Sequence, residues 1–398
     1  MSKIEIQRSA PLPARDSSEF TLVSEHPDEA VEKGAKLVAE ILGRGTITDL
    51  QIRTDRHIRV HNPAGIETLE EYGRISAGLV AGIVRALWRS RGGVRGEDEH
   101  EFFQRIQKRG VEDFSCEGGD VLYSVLASGR LRVQVFYDMT GMGLTARVLS
   151  DRIVPLADLS IEHSVKDLIR EMAEARSGLC LITGQTGAGK STTLAAIIGH
   201  LQTAGRHIVT VENPVEYRFP DVRDSLVTQQ EVGTHVESFR QGLIDALRKR
   251  PHVIMIGEIR DRETMETALE AAQTGHLVLS TLHTRSAPET IARIVGLFDS
   301  TKVDGVLAQL AESLRFILSQ GLLPKADGSG AVLCYEAVFN TAPQARAAIS
   351  KHRENPAALL EWMRMGDNRI WENVLGTLVQ RGVVSGAVAD ANQFRSHE

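Results

Sequence analysis

The residues best suited to chemistry form one run: Gly184-Gln185-Thr186-Gly187-Ala188-Gly189-Lys190-Ser191-Thr192. The spacing fits GxxxxGK[ST], in which glycines let successive backbone N–H groups curl inward around an anion. An apolar run, GLCLITG, precedes it and a helical stretch follows. The loop should therefore open into a helix N-terminus, whose partial positive charge strengthens anion binding. In that setting Lys190 is expected to reach the β and γ phosphates of a nucleoside triphosphate. The Ser191 hydroxyl is expected to ligate Mg²⁺, so ATP and Mg²⁺ are the implied cofactors.

Two acidic groups end other apolar runs. One is Val209-Thr-Val-Glu212-Asn213-Pro214-Val215-Glu216, and the other is Val253-Ile-Met-Ile-Gly257-Glu258-Ile-Arg260-Asp261. In an open parallel sheet, ligands sit beyond the carboxyl ends of the strands. A carboxylate there is costly to bury unless a cation faces it, so Glu258 is expected to hold the water shell of the metal, with an ion pair to Arg260 or Arg262 as the bland alternative. Glu216, just past an Asn-Pro turn, suits the general base that deprotonates an attacking water, and Glu212 competes for that role. His276 and His283 flank a further run, GHLVLSTLHT, where either could contact the γ-phosphate or report its loss.

These side chains need a scaffold. GLCLITG, HIVTVEN, HVIMIGE and HLVLSTLH alternate with STTLAAIIGHLQTAG, VESFRQGLIDALRKR and RETMETALEAAQTG. Short apolar runs alternating with amphipathic helices predict a parallel sheet wrapped in helices. Upstream, HPDEAVEKGAKLVAEILGRG and LEEYGRISAGLVAGIVRALWRS read as helices, DLQIRT and HIRVHN as strands, and 113–150 as a run of antiparallel strands. From about 341 onward the pattern is helical: QARAAISKH, PAALLEWMRM and WENVLGTLVQRG.

The chain has 398 residues, 42% of them hydrophobic and 25% charged, with net charge −6. That is enough apolar material for two domains, and the acidic balance weighs against a protein that coats nucleic acid. Three well-separated cysteines, Cys116, Cys180 and Cys334, suggest neither a disulfide framework nor a zinc knuckle, which fits a cytoplasmic location. No apolar run is long enough to span a membrane, and the N-terminus has no apolar core of a secretory signal. Attachment to a membrane would have to come through partners.

Taken together, the motifs resemble the secretion ATPase superfamily of PilT, GspE and the conjugative motors. GQTGAGKSTTL is similar to its Walker A, VENPVEY to its Asp box, RPHVIMIGEIRD to its Walker B, and TGHLVLSTLHT to its His box. The resemblance, over roughly 25–395, assigns the catalytic glutamate to Glu216, Walker B to Glu258, and the His box to His276 and His283. It also implies a PAS-like N-terminal domain in which GRLRVQVF carries Arg130 and Arg132 toward a neighbour's nucleotide, with Arg147 a third such arginine. A homohexameric ring on an inner-membrane secretion or conjugation platform, with no obligatory nucleic acid, is implied as well.

The sequence departs from the family in places. Asn213 replaces a common aspartate, no tetracysteine insert is present, and Ala345–His352 matches the retraction motif AIRNLIRE poorly. The chain therefore looks closest to DotB and its plasmid relatives named TraJ, with pilus retraction as the alternative and a nucleic-acid translocase as a reading of another class. The expected architecture is a RecA-like α/β P-loop domain (165–340), preceded by an arm (1–20), a PAS-like α+β domain (21–150) and a linker (151–164), and followed by a helical region (341–398).

Overall fold

A computed structural model describes residues 27–44, 47–62, 65–90, 98–116, 130–149, 152–222, 224–365 and 369–392. The expected arm (1–20) and the middle of the expected strand run (117–129) lie outside these. The chain divides into two compact units, Met1–Ser150 and Asp151–Glu398.

The N-terminal unit contains α1 (Pro27–Leu42), β1 (Asp49–Arg53), β2 (Ile58–Asn62), β3 (Gly65–Leu69), α2 (Ala77–Arg89), α3 (Glu99–Arg109), β4 (Val111–Cys116), β5 (Leu131–Asp138) and β6 (Gly141–Val148). Its sheet is antiparallel, in the order β3-β2-β1-β6-β5-β4. Leu50, Ile52, Ile58, Val60, Val133 and Val135 alternate into one core with α1 and α2, the period-2 pattern of a sheet buried on one face. The two helices cross closely because Gly82 has no side chain. A Cβ there would lie 2.3 Å from the Ala30 carbonyl oxygen.

The C-terminal unit opens with a 3₁₀ turn (Leu156–Asp158) and α4 (His163–Ala173), followed by β7 (Gly178–Thr183), α5 (Lys190–Thr203), β8 (His207–Glu212) and β9 (Leu226–Glu231). Then come α6 (Phe239–Arg248), β10 (Val253–Ile256), α7 (Arg262–Gln273), β11 (Leu277–Leu282), α8 (Ala287–Val295) and α9 (Val303–Ser313). A long hairpin, β12 (Leu314–Pro324) and β13 (Ala331–Phe339), leads into α10 (Pro343–Ser350), α11 (Ala358–Met365), α12 (Trp371–Gln380) and α13 (Gly386–Asp390). The sheet order is β13-β12-β7-β11-β10-β8-β9, parallel except for the terminal hairpin.

Both faces of this sheet are buried. In β7, Cys180 and Ile182 enter one core with Phe316 and Leu318, while Leu179 and Leu181 enter the other with Ile254 and Ile317. The C-terminal helices belong to these cores: Trp371, Val374 and Leu375 on one face, Ile349, Leu359 and Met363 on the other. Within the stretch read as a linker, Leu156 and Ile161 are core residues of this unit.

β3, α3, β9 and the β12–β13 hairpin were not among the elements expected from the sequence. In β12 (LRFILSQGLLP) a glutamine, a glycine and a proline interrupt the apolar run, while β9 (LVTQQE) is a polar edge strand with no apolar signature. All three cysteines are buried.

Candidate functional site

The loop between β7 and α5 is shaped by its glycines. Gly187 and Gly189 have φ of +80° and Gly184 of +146°, the region L side chains avoid. A Cβ on Gly187 would meet nothing within 4 Å, so that glycine borders open space, whereas one on Gly184 would lie 2.3 Å from the Gln320 carbonyl oxygen. Lys190 begins α5, and its ammonium donates to the carbonyl oxygens of Gly184 (2.8 Å) and Gln185 (3.0 Å). Burial lowers its pKa, while the carboxylates of Glu258 and Glu216 pull it up. The lysine, loop and both acids therefore share one electrostatic environment.

Register explains the convergence. β7, β11, β10 and β8 run parallel, so their carboxyl ends share one edge. Leu282 pairs with Thr183, which puts His283 level with the start of the phosphate loop. His276, in contrast, precedes Leu277, which pairs with Gly178 at the opposite end of β7. The structure thus brings His283 to the loop and leaves His276 a strand length away; the two looked equivalent in sequence only because strand direction was ignored.

Glu258 follows β10. Its Oε1 pairs with Arg260 at 2.6 Å, and its Oε2 lies 3.4 Å from His283 Nε2. Arg262 turns away to Glu266 and Asp299. Burial and the Lys190 charge lower the pKa of His283, against the pull of Glu258, which favours the neutral imidazole.

The competition between Glu212 and Glu216 has a structural basis. Glu212, at the end of β8 and 7% exposed, accepts hydrogen bonds from Thr210 Oγ1 (2.7 Å) and Gln229 Nε2 (3.2 Å). Burial pushes its pKa up to about 7 despite those bonds and one from the backbone N–H of Glu216. Glu216, past a cis Asn213–Pro214 peptide, is only partly buried and close enough to Lys190 to raise its pKa. Glu216 is therefore the accessible acid of the pair and Glu212 the buried one.

Side chains absent from the sequence reading complete the surroundings. Thr192 Oγ1 shares a hydrogen bond with the Tyr217 hydroxyl (2.8 Å). Gln320 of β12 bonds both Thr193 and the loop carbonyl of Ala188. The loop residues 184–188 border a cleft with Arg285, Leu322 and Trp371. The one sequence signal for Gln320 was an amide in an apolar strand.

Ser191, in the first turn of α5, and Glu258 offer hard oxygen donors, the type Mg²⁺ prefers alongside phosphate oxygens. No cluster of three or more His, Cys, Asp or Glu suited to a dedicated metal cage occurs among the described residues. The fit is to a metal carried with a phosphate ligand, not to a structural ion.

The three expected arginines lie in the N-terminal unit. Arg130 is 3% exposed, and Arg132 and Arg147 face each other across β5 and β6. Like charges directly opposed on a sheet face are unfavourable. Asp49 offsets one of them through a 2.7 Å ion pair to Arg147.

A glycine-rich loop on a helix N-terminus, its lysine, and acids at neighbouring strand ends define a P-loop nucleoside triphosphatase. Residues 121–391 match the family described as Type II/IV secretion system protein, and the chain belongs to that family. It is an ATPase of the type IV pilus and secretion class. A twitching motility protein of Neisseria gonorrhoeae is 37% identical over 290 residues, covering 72% of this chain and 74% of its own. A crystal structure of the pilus retraction motor PilT with bound ADP is 33% identical, covers 92% of this chain and 97% of its own, and superposes with a TM-score of 0.75. The Legionella pneumophila ATPase DotB, at 24% identity, covers 92% and 95% with a TM-score of 0.74, a likeness of fold. Among the described residues no helix is long and apolar enough to cross a membrane.

Proposed function

We propose that the chain is a ring-forming motor, a homohexamer that splits ATP to drive a type IV pilus or secretion machine from the cytoplasmic face of the inner membrane. In this reading loop 184–192 cradles the phosphates, Lys190 reaches the β and γ groups, and Ser191 holds Mg²⁺. Glu258 fixes the metal's water shell. Glu216 takes the proton of the attacking water and His283 senses the γ-phosphate through its contact with Glu258. His276 has no part at the phosphates. Arg132 and Arg147 of a neighbouring subunit offset charge developing in the transition state, as guanidinium groups do for phosphoryl transfer. Nucleotide state sets the angle between the units, and the ring turns that motion into work.

The observation that carries this reading is the convergence of Lys190, Glu216, Glu258 and His283 on one sheet edge. Phosphate release by the purified chain with MgATP tests it. Lys190→Ala should abolish release, and a variant that still releases phosphate at the wild-type rate would refute the assignment.

Two kinds of machine compete. Identities of 37% and 33% to twitching and retraction proteins favour pilus retraction. The poor match of 345–352 to the retraction motif favours a DotB-like secretion motor instead. Deleting the gene separates them: loss of twitching with secretion intact selects the first, and the converse selects the second.

A further inference from the structure

An anion-binding loop needs its N–H groups held inward, yet Gly187 and Gly189 at φ +80° leave the adjoining peptide units easy to turn. The Ala188 carbonyl and the Gly189 N–H belong to one trans peptide and point in opposite directions. Whatever holds the carbonyl outward therefore holds the N–H toward the phosphates. Gln320, on β12 and 4% exposed, does so: its Nε2 donates to the Ala188 carbonyl at 2.7 Å. A carbonyl can only accept, which fixes the amide's orientation and turns Oε1 to the Thr193 hydroxyl, 2.9 Å away. The Thr193 N–H in turn donates to the Gly189 carbonyl at 3.0 Å. One buried side chain thus ties together both ends of the turn that carries Gly189. The backbone of the same residue packs against the loop's first glycine, where a Cβ would come within 2.3 Å of the Gln320 oxygen.

We propose that Gln320 is a positioning residue for nucleotide binding. It touches no phosphate; it presents the Gly189 N–H by gripping the carbonyl of the same peptide. This rests on loop 184–192 being the nucleotide site. Gln320→Glu keeps the shape and the acceptor for Thr193 but sets an oxygen against the Ala188 oxygen. Gln320→Leu keeps the bulk and removes both bonds. Asn340 supplies the control: it is a buried amide just past β13 whose Nδ2 bonds the carbonyls of Ala311 (2.8 Å) and Leu314 (2.9 Å), with no bond to the loop.

The experiment titrates MgADP into the full chain, reads the thermal midpoint without nucleotide, and measures steady-state ATPase kinetics. Both Gln320 variants should weaken the ADP Kd and raise KM at least about tenfold, with kcat within about threefold of wild type. Asn340→Leu should lower the thermal midpoint and leave Kd within about twofold. Gln320 variants that bind ADP as wild type does, or whose profile matches that of Asn340→Leu, would overturn the proposal. Should both Gln320 variants fail to fold, Thr193→Val decides. It removes only the hydroxyl that anchors the amide oxygen and should weaken Kd about threefold, and an unchanged Kd counts against the inference. Failure of the wild-type chain to bind MgADP at all would instead remove the nucleotide-site reading.

Discussion

The two units use a β-sheet in opposite ways. In the C-terminal unit helices cover both faces, so side chains in mid-strand are committed to packing. The strand ends are where Lys190, Glu216, Glu258 and His283 gather, and there the proposed chemistry lies. Among the described residues of the N-terminal unit the core takes one face, and the other face displays polar groups along the strands, Arg132 opposite Arg147 among them. A two-sided parallel sheet concentrates function at an edge where a bound ligand can be enclosed. A one-sided antiparallel sheet spreads charge over a surface suited to something brought from outside.

Five substitutions test that contrast. If the open face serves a transition state, Arg132→Ala should cut kcat about 10⁴-fold and leave ADP affinity nearly intact. A variant with wild-type turnover would reduce the arginine pair to surface charge. At the enclosed edge, Glu216→Gln should lower kcat about 10³-fold with ATP still bound. Glu212→Gln, at a buried strut, should cost under about tenfold, and the reverse ranking would exchange their roles.

Next in size is a pH effect in the two-sided sheet. Glu336, 2% exposed on β13, accepts from the Ala287 N–H at the start of α8. Burial, aided by Glu372 and Glu289, raises its pKa to about 7 from an ordinary 4.5. A carboxyl whose folded pKa is raised contributes full stability below its unfolded pKa and loses it as pH climbs through the folded one. Stability should therefore fall by up to about 3 kcal/mol between pH ~4.5 and somewhat above 7. Glu336→Gln, followed by denaturant titration at several pH values, should flatten this slope, with Glu212 retaining a similar one of its own. A slope unaltered by the substitution would mean that Glu336 titrates normally.

The smallest effect belongs to the N-terminal unit. Gly82→Ala would drive a methyl to 2.3 Å from the Ala30 carbonyl, forcing α1 and α2 apart. The expected loss is about 2 kcal/mol in unfolding free energy of that unit, with ADP affinity at the other unchanged. Altered ADP affinity would mean that the units do not keep their functions separate.

The same contrast explains what the sequence disclosed. The shape of loop 184–192, a glycine turn opening into a helix, was legible because such a turn constrains residue type at fixed spacing. Glu258 was legible because a buried strand ended in an acid. The His276 and His283 pair was half legible: direction along a parallel strand selects His283, and that rule was available without coordinates. Gln320 was not readable, since its partners are a backbone carbonyl and Thr193, 127 residues earlier in sequence. The hairpin that carries it is long, but Gln320, Gly321 and Pro324 hid its strand pattern. The arginines came only from family resemblance, because a charged residue on an open sheet face looks like any solvated one.

A site shared between protomers requires that the nucleotide held by one be completed by its neighbour. Lys190→Ala and Arg132→Ala chains, each inactive alone, should regain a measurable fraction of wild-type phosphate release when co-assembled, because some seams then pair an intact loop with an intact arginine. A co-assembled ring, verified by mass, that stays as inactive as either parent would contradict the shared site.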